Sequence, residues 1–285
     1  TDGMGRVFLV PGDGQRAALT QVLVHEFVHV VQFRSEMMPW ASPAQGNTTT
    51  DAAQVRLALT EGAAVYVTDV YTEQYLADTN VTSQSVQMAR LYADSNPGGR
   101  FLAARYHFGS QYVHHRLDDP AELRSLYEDI PPTTEQLLHN DSAPGDPYQP
   151  LAIDAAGGDG WELADPDDVD IMGELFVRVV LSGRLNQSRA AEAAAGWGVD
   201  RVIEYEQGDR AAFAWVLRWD DAANASQFRA AMGAYVDRRS TGLDLEFRTT
   251  TVGDETVVVF LGPPGFVDAA GASGTSEDVR VSVGS

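Results

Sequence analysis

The chain has 285 residues, 44 % of them apolar, enough to bury the core of one large domain or two modest ones and too many for a disordered segment or a small peptide scaffold. Acidic residues outnumber basic ones by 41 to 20, giving a net charge of −21, so the surrounding field repels nucleic acid and anionic membranes. Cysteine is absent, which excludes disulfides and thiolate metal sites, and no apolar run approaches the ~18 residues of a membrane span.

In chain order, Arg6 to Val10 reads as a short strand ended by Pro11-Gly12-Asp13-Gly14. From Ala17 to about Phe33 apolar residues recur nearly all round a helical projection, the pattern of a buried helix. Pro39 to Thr49 carries loop signals, and the Thr50/Asp51 cap opens a second helix that runs to about Leu76. Helices are expected over 81–93 and 100–117, and Asp119-Pro120 opens another to about Asp129, because proline suits the first helical position. Pro131 to Thr134 caps a short helical turn reaching His139, and 141–150 reads as a linker.

A strand at Trp161–Leu163 precedes helices at 167–181 and 187–195, a block that Trp197-Gly198 closes. The remainder predicts strands at 201–206 and 211–219, a helix from Asp221 to about Arg238, and strands at 243–248 and 256–261. The Gly- and Ser-rich run from Ala269 reads as flexible. The expected class is α+β: a mainly helical region over 1–150, a helical continuation over 151–200, a small ββαββ unit over 201–268 and a tail over 269–285.

Chemistry concentrates in His25-Glu26-Phe27-Val28-His29. Histidines at i and i+4 lie one above the other on a helix, so both imidazoles can meet one zinc ion at ~2.0–2.1 Å. Glu26 is turned about 100° from His25, within reach of a metal-bound water without displacing the ligands. The competing reading is a buried polar network of His25, Glu26 and His29 satisfied by neighbours, since burying these groups without partners costs several kcal/mol.

A catalytic zinc takes three protein ligands and keeps one position open. The metzincin continuation fails because Gln32 and Ser35 stand where glycine and histidine belong. Glu36 is ~10 Å farther along the helix, out of range of the same ion. The third ligand therefore comes from another segment. Glu61, among small and apolar residues in Leu59-Thr60-Glu61-Gly62-Ala63-Ala64-Val65-Tyr66, is the best candidate, with Asp69, Glu73 and His107 as alternatives.

His25-Glu26-x-x-His29 followed some thirty residues on by Glu61-Gly62-x-Ala64-x-Tyr66 resembles the gluzincin metallopeptidases, in particular the peptidase-MA-like group. Thr133 to His139, Gly173-Glu174-Leu175-Phe176 and Ala194 to Arg201 are similar to that group too, so the likeness spans roughly 20–220. It implies a zincin-like fold for the helical region, zinc on His25, His29 and Glu61, and Glu26 as general base. Two departures stand out: Val65 occupies the place of an aspartate that orients a histidine in many gluzincins, and only about twenty residues precede the motif helix where several strands are usual. The expectation is a missing N-terminal portion or a companion chain that supplies one.

The expected reaction is hydrolysis of peptide bonds in a peptide or protein substrate, with Tyr66, Tyr106 and His107 as candidate oxyanion donors. The alternative is a non-catalytic surface glycoprotein in which zinc is structural or vestigial.

Composition points to the setting. All 20 basic residues are arginine, and an acidic, lysine-free surface suits concentrated salt, where the Debye length falls to roughly 3 Å at 1 M and carboxylate repulsion becomes cheap. Five of six asparagines, Asn47, Asn80, Asn140, Asn186 and Asn224, open N-x-Ser/Thr sequons. With only 34 serines and threonines in the chain, that clustering argues for an exported surface bearing N-linked glycans. This background resembles haloarchaeal cell-surface proteins. An extracellular or cell-surface location follows, with membrane attachment only through an anchor outside this chain.

Overall fold

A computed structural model describes residues 16–38, 49–140, 148–165, 170–238 and 245–284. The expected strand over 6–10, most of the 39–49 loop and Asn47 lie outside the described residues. The class is mixed α+β, in two compact units: 1–48 with 52–145, and 49–51 with 146–285.

The first unit is helical: α1 (Arg16–Arg34), α2 (Thr50–Tyr75), α3 (Gln84–Asp94), α4 (Pro97–Arg116), a 3₁₀ helix (Pro120–Tyr127) and α5 (Thr134–His139). Side chains close the helix starts, since each first turn leaves backbone N–H groups without a partner. Asn96 accepts from the Gly99 amide ahead of α4, and Thr133 accepts from Gln136 ahead of α5. Asp119 likewise accepts from Ala121, though the segment it opens winds as a 3₁₀ and not an α-helix. The core gathers Val55, Leu59, Ala63, Tyr112, Val113, Leu117 and Leu126.

α1 departs from the expectation of a helix buried all round. Its buried residues are Gln21, His25, Val28 and Gln32, whereas Leu19, Val22, Phe27, Val31 and Phe33 are between 43 % and 55 % exposed. The polar stripe faces inward because its groups find partners there: Gln21 Nε2 donates to the Thr72 hydroxyl and the Thr82 carbonyl, and Gln32 Nε2 to the Thr60 carbonyl and the Tyr127 hydroxyl. Satisfied amides are tolerated where bare ones are not.

The small residues of α2 serve a close crossing with α4. A Cβ on Gly62 would sit 2.2 Å from the Gly109 carbonyl carbon, and one on Gly109 would sit 2.1 Å from the Ala58 oxygen. That approach brings Tyr106 of α4 beside Glu61 of α2.

The second unit contains β1 (Ala152–Ala156), β2 (Glu162–Leu163), α6 (Glu174–Ser182), α7 (Gln187–Ala194), β3 (Trp197–Gln207), β4 (Arg210–Trp219), α8 (Ala222–Asp237), β5 (Glu246–Val252), β6 (Thr256–Gly262), α9 (Pro264–Ala269), β7 (Ala270–Gly274) and β8 (Asp278–Val283). Five strands form a sheet in the order β2-β3-β4-β6-β5, and β1-β8-β7 form a second. All pairs of the larger sheet are antiparallel, and β1 runs parallel to β8.

Side chains alternate across the larger sheet as the strand period demands. Trp215, Leu217, Trp219, Val257 and Val259 pack with Leu181, Ala190 and Phe228 from α6, α7 and α8. Ala214, Val216, Val258 and Phe260 face the other way, onto Phe266, Val279 and Val281. With both faces covered, β4 and β6 read as nearly unbroken apolar runs.

Two further expectations are corrected here. The tail from Ala269 is not flexible: Ala270–Gly274 and Asp278–Val283 are strands, paired from Ala270 with Val283 to Gly274 with Val279. Their order comes from the ladder and from burial of Val279, Val281 and Val283, not from local propensity. Trp197-Gly198, expected to close a helical block, instead begins β3. The helix expected at 167–181 starts at Glu174 among the described residues, because the amides of Met172 and Gly173 donate to the Asp200 carboxylate and Gly173 holds φ 88°, a left-handed conformation that glycine adopts without strain.

Candidate metal centre

His25 and His29 lie on successive turns of α1, and Glu61 reaches them from the middle of α2. The His25 and His29 Nε2 atoms are 3.1 Å apart, and Glu61 Oε2 lies 3.3 Å from the first and 3.2 Å from the second. Three ligands at ~2.0–2.1 Å from a tetrahedral zinc ion are separated by about 3.3 Å, so the triangle has the size of one face of such a site. Among the described residues this is the single cluster of three or more His, Asp or Glu able to hold a metal.

The hydrogen bonds behind the rings point the same way. Gln84 Oε1 stands 3.0 Å from His25 Nδ1, and Gln32 Oε1 stands 2.7 Å from His29 Nδ1. An amide oxygen only accepts, so each Nδ1 carries the proton and each Nε2 presents a lone pair. Two lone pairs and a carboxylate oxygen then meet at hydrogen-bond distance, with the Tyr106 hydroxyl as a donor to Glu61, an arrangement suited to a shared cation or proton. The donor set of two imidazole nitrogens and one carboxylate oxygen is that of catalytic zinc sites.

The electrostatics follow from this packing. Burial works to raise the Glu61 pKa, but hydrogen bonds and charge from His25 and His29 overcome it and hold the group at about 2. Burial works to lower the His29 pKa, and Glu61 and Gln32 reverse that, so it ends above its ordinary value.

Glu26, one residue past His25, is half-buried beside the pair. Tyr106 on α4 places its ring 6.1 Å from that of His25; burial and the Glu61 charge both raise its pKa, and its hydroxyl hydrogen-bonds Glu61. The other expected oxyanion donors lie elsewhere: His107 stacks on Tyr92 at 5.2 Å, and Tyr66 packs edge-on against His114 at 4.8 Å.

The alternative third ligands fall away as well. Asp69 accepts from the Gln84 and Ser85 amides at the start of α3, Glu73 is exposed, and neither joins the His25–His29–Glu61 group. Sequence reasoning left the partners of the histidines unassigned. Gln32 was legible in principle, three residues past His29 on the same helix face; Gln84 comes from a different helix and carries no sequence signal.

Of the sequons among the described residues, Asn80 and Asn186 are exposed, Asn186 capping α7 through its Oδ1. Asn140 takes a left-handed conformation after α5. Asn224 Nδ2 donates to the Ala195 carbonyl and packs against Gly196.

Residues 162–284 match a family described only as a domain of unknown function, DUF8575. The match covers the five-stranded sheet and its helices and leaves His25, His29 and Glu61 outside it. Comparison with curated proteins and with solved structures finds no match.

Proposed function

We propose that the helical unit is a zincin-like, gluzincin-type metallopeptidase domain that hydrolyses peptide bonds, sited outside the cell and adapted to concentrated salt. The observation that carries this reading is the triangle of His25 Nε2, His29 Nε2 and Glu61 Oε2, sized for one zinc ion, with a second carboxylate, Glu26, adjacent.

A zinc ion bound there would polarise the scissile carbonyl and bring the pKa of bound water toward ~7. His25, His29 and Glu61 bind it; Glu26 takes the water proton at its carboxylate and returns it to the leaving amide nitrogen. Tyr106, beside His25 and bonded to Glu61, is the residue best placed to donate to the tetrahedral oxygen. The apolar stripe Leu19, Val22 and Phe27 exposed on α1 flanks Glu26 on the helix projection and suits an extended, largely apolar peptide.

Three donors and no fourth protein ligand among the described residues favour a catalytic over a structural site. The lysine-free acidic surface and the exposed Asn80 and Asn186 support the extracellular, glycan-bearing setting. The test is zinc content together with cleavage of a denatured protein substrate in molar salt. Stoichiometric zinc, chelator-sensitive cleavage, and a Glu26→Gln variant that keeps zinc while losing about 100- to 10,000-fold in rate are expected. A zinc-loaded protein with no cleavage assigns the site to the structural or vestigial alternative, and a fully active Glu26→Gln variant overturns the role of Glu26.

A further inference from the structure

We infer that Gln32 and Gln84 are positioning residues that lock His29 and His25 into the one tautomer able to bind a cation at Nε2. The argument starts at the Thr60 backbone carbonyl, which can only accept. Gln32 Nε2 lies 2.9 Å from it and 2.7 Å from the Tyr127 hydroxyl. The amide nitrogen must therefore face Thr60, and the amide oxygen is left facing His29 Nδ1 at 2.7 Å. That oxygen accepts, so Nδ1 holds the proton and Nε2 is bare. Gln32 is fully buried, and a flipped amide would set two oxygens face to face away from water, at a cost of about 1–3 kcal/mol.

The same amide ties the two ligand-bearing helices together. Thr60 immediately precedes Glu61, so Gln32 links His29 on α1 to the backbone that carries the third donor on α2. Gln84 approaches the other ring from α3: its oxygen lies 3.0 Å from His25 Nδ1, and its backbone amide donates to Asp69. Asp69, four residues along α2 from Val65, thus acts on His25 at one remove, through the start of α3. Both partners of the imidazoles are neutral amides where carboxylates are the common alternative. Neither amide adds a negative charge to that of the Glu61 carboxylate.

The affinity arm of the test rests on the metal reading above; the tautomer arm does not. Imidazole ¹⁵N spectra of the metal-free, full-length protein should show His25 and His29 protonated at Nδ1. Protonation at Nε2 in both rings overturns the inference whatever the metal does. Zinc competition against a chromophoric chelator should find Gln84→Met about 10- to 100-fold weaker than wild type, with Gln84→Glu at wild-type affinity or tighter. Gln32→Met should lose as much and mix the His29 tautomers; if that buried substitution prevents folding, the Gln84 pair still decides. Equal weakening in Gln84→Met and Gln84→Glu overturns the positioning role, because packing and not the acceptor would then matter. A wild-type protein that shows the expected tautomers and binds no zinc fails the metal reading and leaves the orientation of the rings supported.

Discussion

Glu61 and Asp200 are carboxylates drawn into different units, and the two are built in opposite ways. Asp200 in the second unit is fully buried and receives four N–H donors: the Met172 and Gly173 amides and the indoles of Trp197 and Trp215, at 2.7–3.2 Å. Every lone pair is answered, so the group is a structural hub pinning the start of α6 to β3 and β4. Glu61 in the first unit is set against two imidazole nitrogens that its own neighbours force to be acceptors. A carboxylate met by donors on every side needs nothing more; one set against two acceptor nitrogens would be completed by a cation. This contrast separates scaffold from site without reference to any relative.

The largest effect expected from the contrast is on metal binding. Glu61→Ala removes one of three ligands and should weaken zinc by more than about 100-fold, beyond what loss of a ligand's partner costs, as read by chelator competition. The metal-free form of that variant should also unfold more easily near neutral pH, because the folded protein holds the Glu61 carboxylate well below its unfolded pKa. A metal-free Glu61→Ala protein as stable as wild type would instead show that the carboxylate gains nothing from its imidazole neighbours until a cation is present.

How far the site could be read from the sequence depends on whether its parts are local. His25, Glu26 and His29 follow from helical spacing, and Glu61 from a charged residue set among glycine and alanines that permit close helix crossing. The amides behind the rings are a contact between helices, invisible in any single stretch. The fold divides in the same way. Apolar runs at β4 and β6 announce strands, while Ala270–Gly274 carries no strand propensity and is ordered by its ladder with β8. The inward turn of Gln21 and Gln32 reverses what an apolar count predicts for α1, since amides go inside wherever each N–H and C=O meets a partner.

The second prediction tests the scaffold half. Asp200→Ala strips the acceptor from two indoles and two amides at once and should cost about 3–5 kcal/mol in unfolding free energy, followed by tryptophan fluorescence, since Trp161, Trp197, Trp215 and Trp219 all lie in the second unit. Zinc binding by the first unit should be unchanged. Loss of zinc affinity in Asp200→Ala would deny that the two carboxylates serve separate ends.

The smallest effect lies in the pH dependence, where the two groups carry opposite signs. Burial raises the Asp200 pKa to about 6 against the pull of its four donors, while the unfolded chain titrates near 3.9. Between about pH 4 and 6 the folded protein holds the extra proton, so stability on account of Asp200 is greatest below about pH 4 and falls as pH rises through 6, by at most about 1 kcal/mol per pH unit. Glu61, held at about 2 against about 4.3 unfolded, contributes stability that is present above about pH 4 and is lost as pH falls through 2. Denaturant titrations of the metal-free protein across pH 4–7 should show the Asp200 fall, and Asp200→Asn should flatten it while leaving the acid limb below pH 4 in place. A wild-type profile already flat from 4 to 7 would mean that the four N–H donors keep the carboxylate ionised throughout, which makes Asp200 a still more complete counterpart to Glu61 and its two imidazole neighbours.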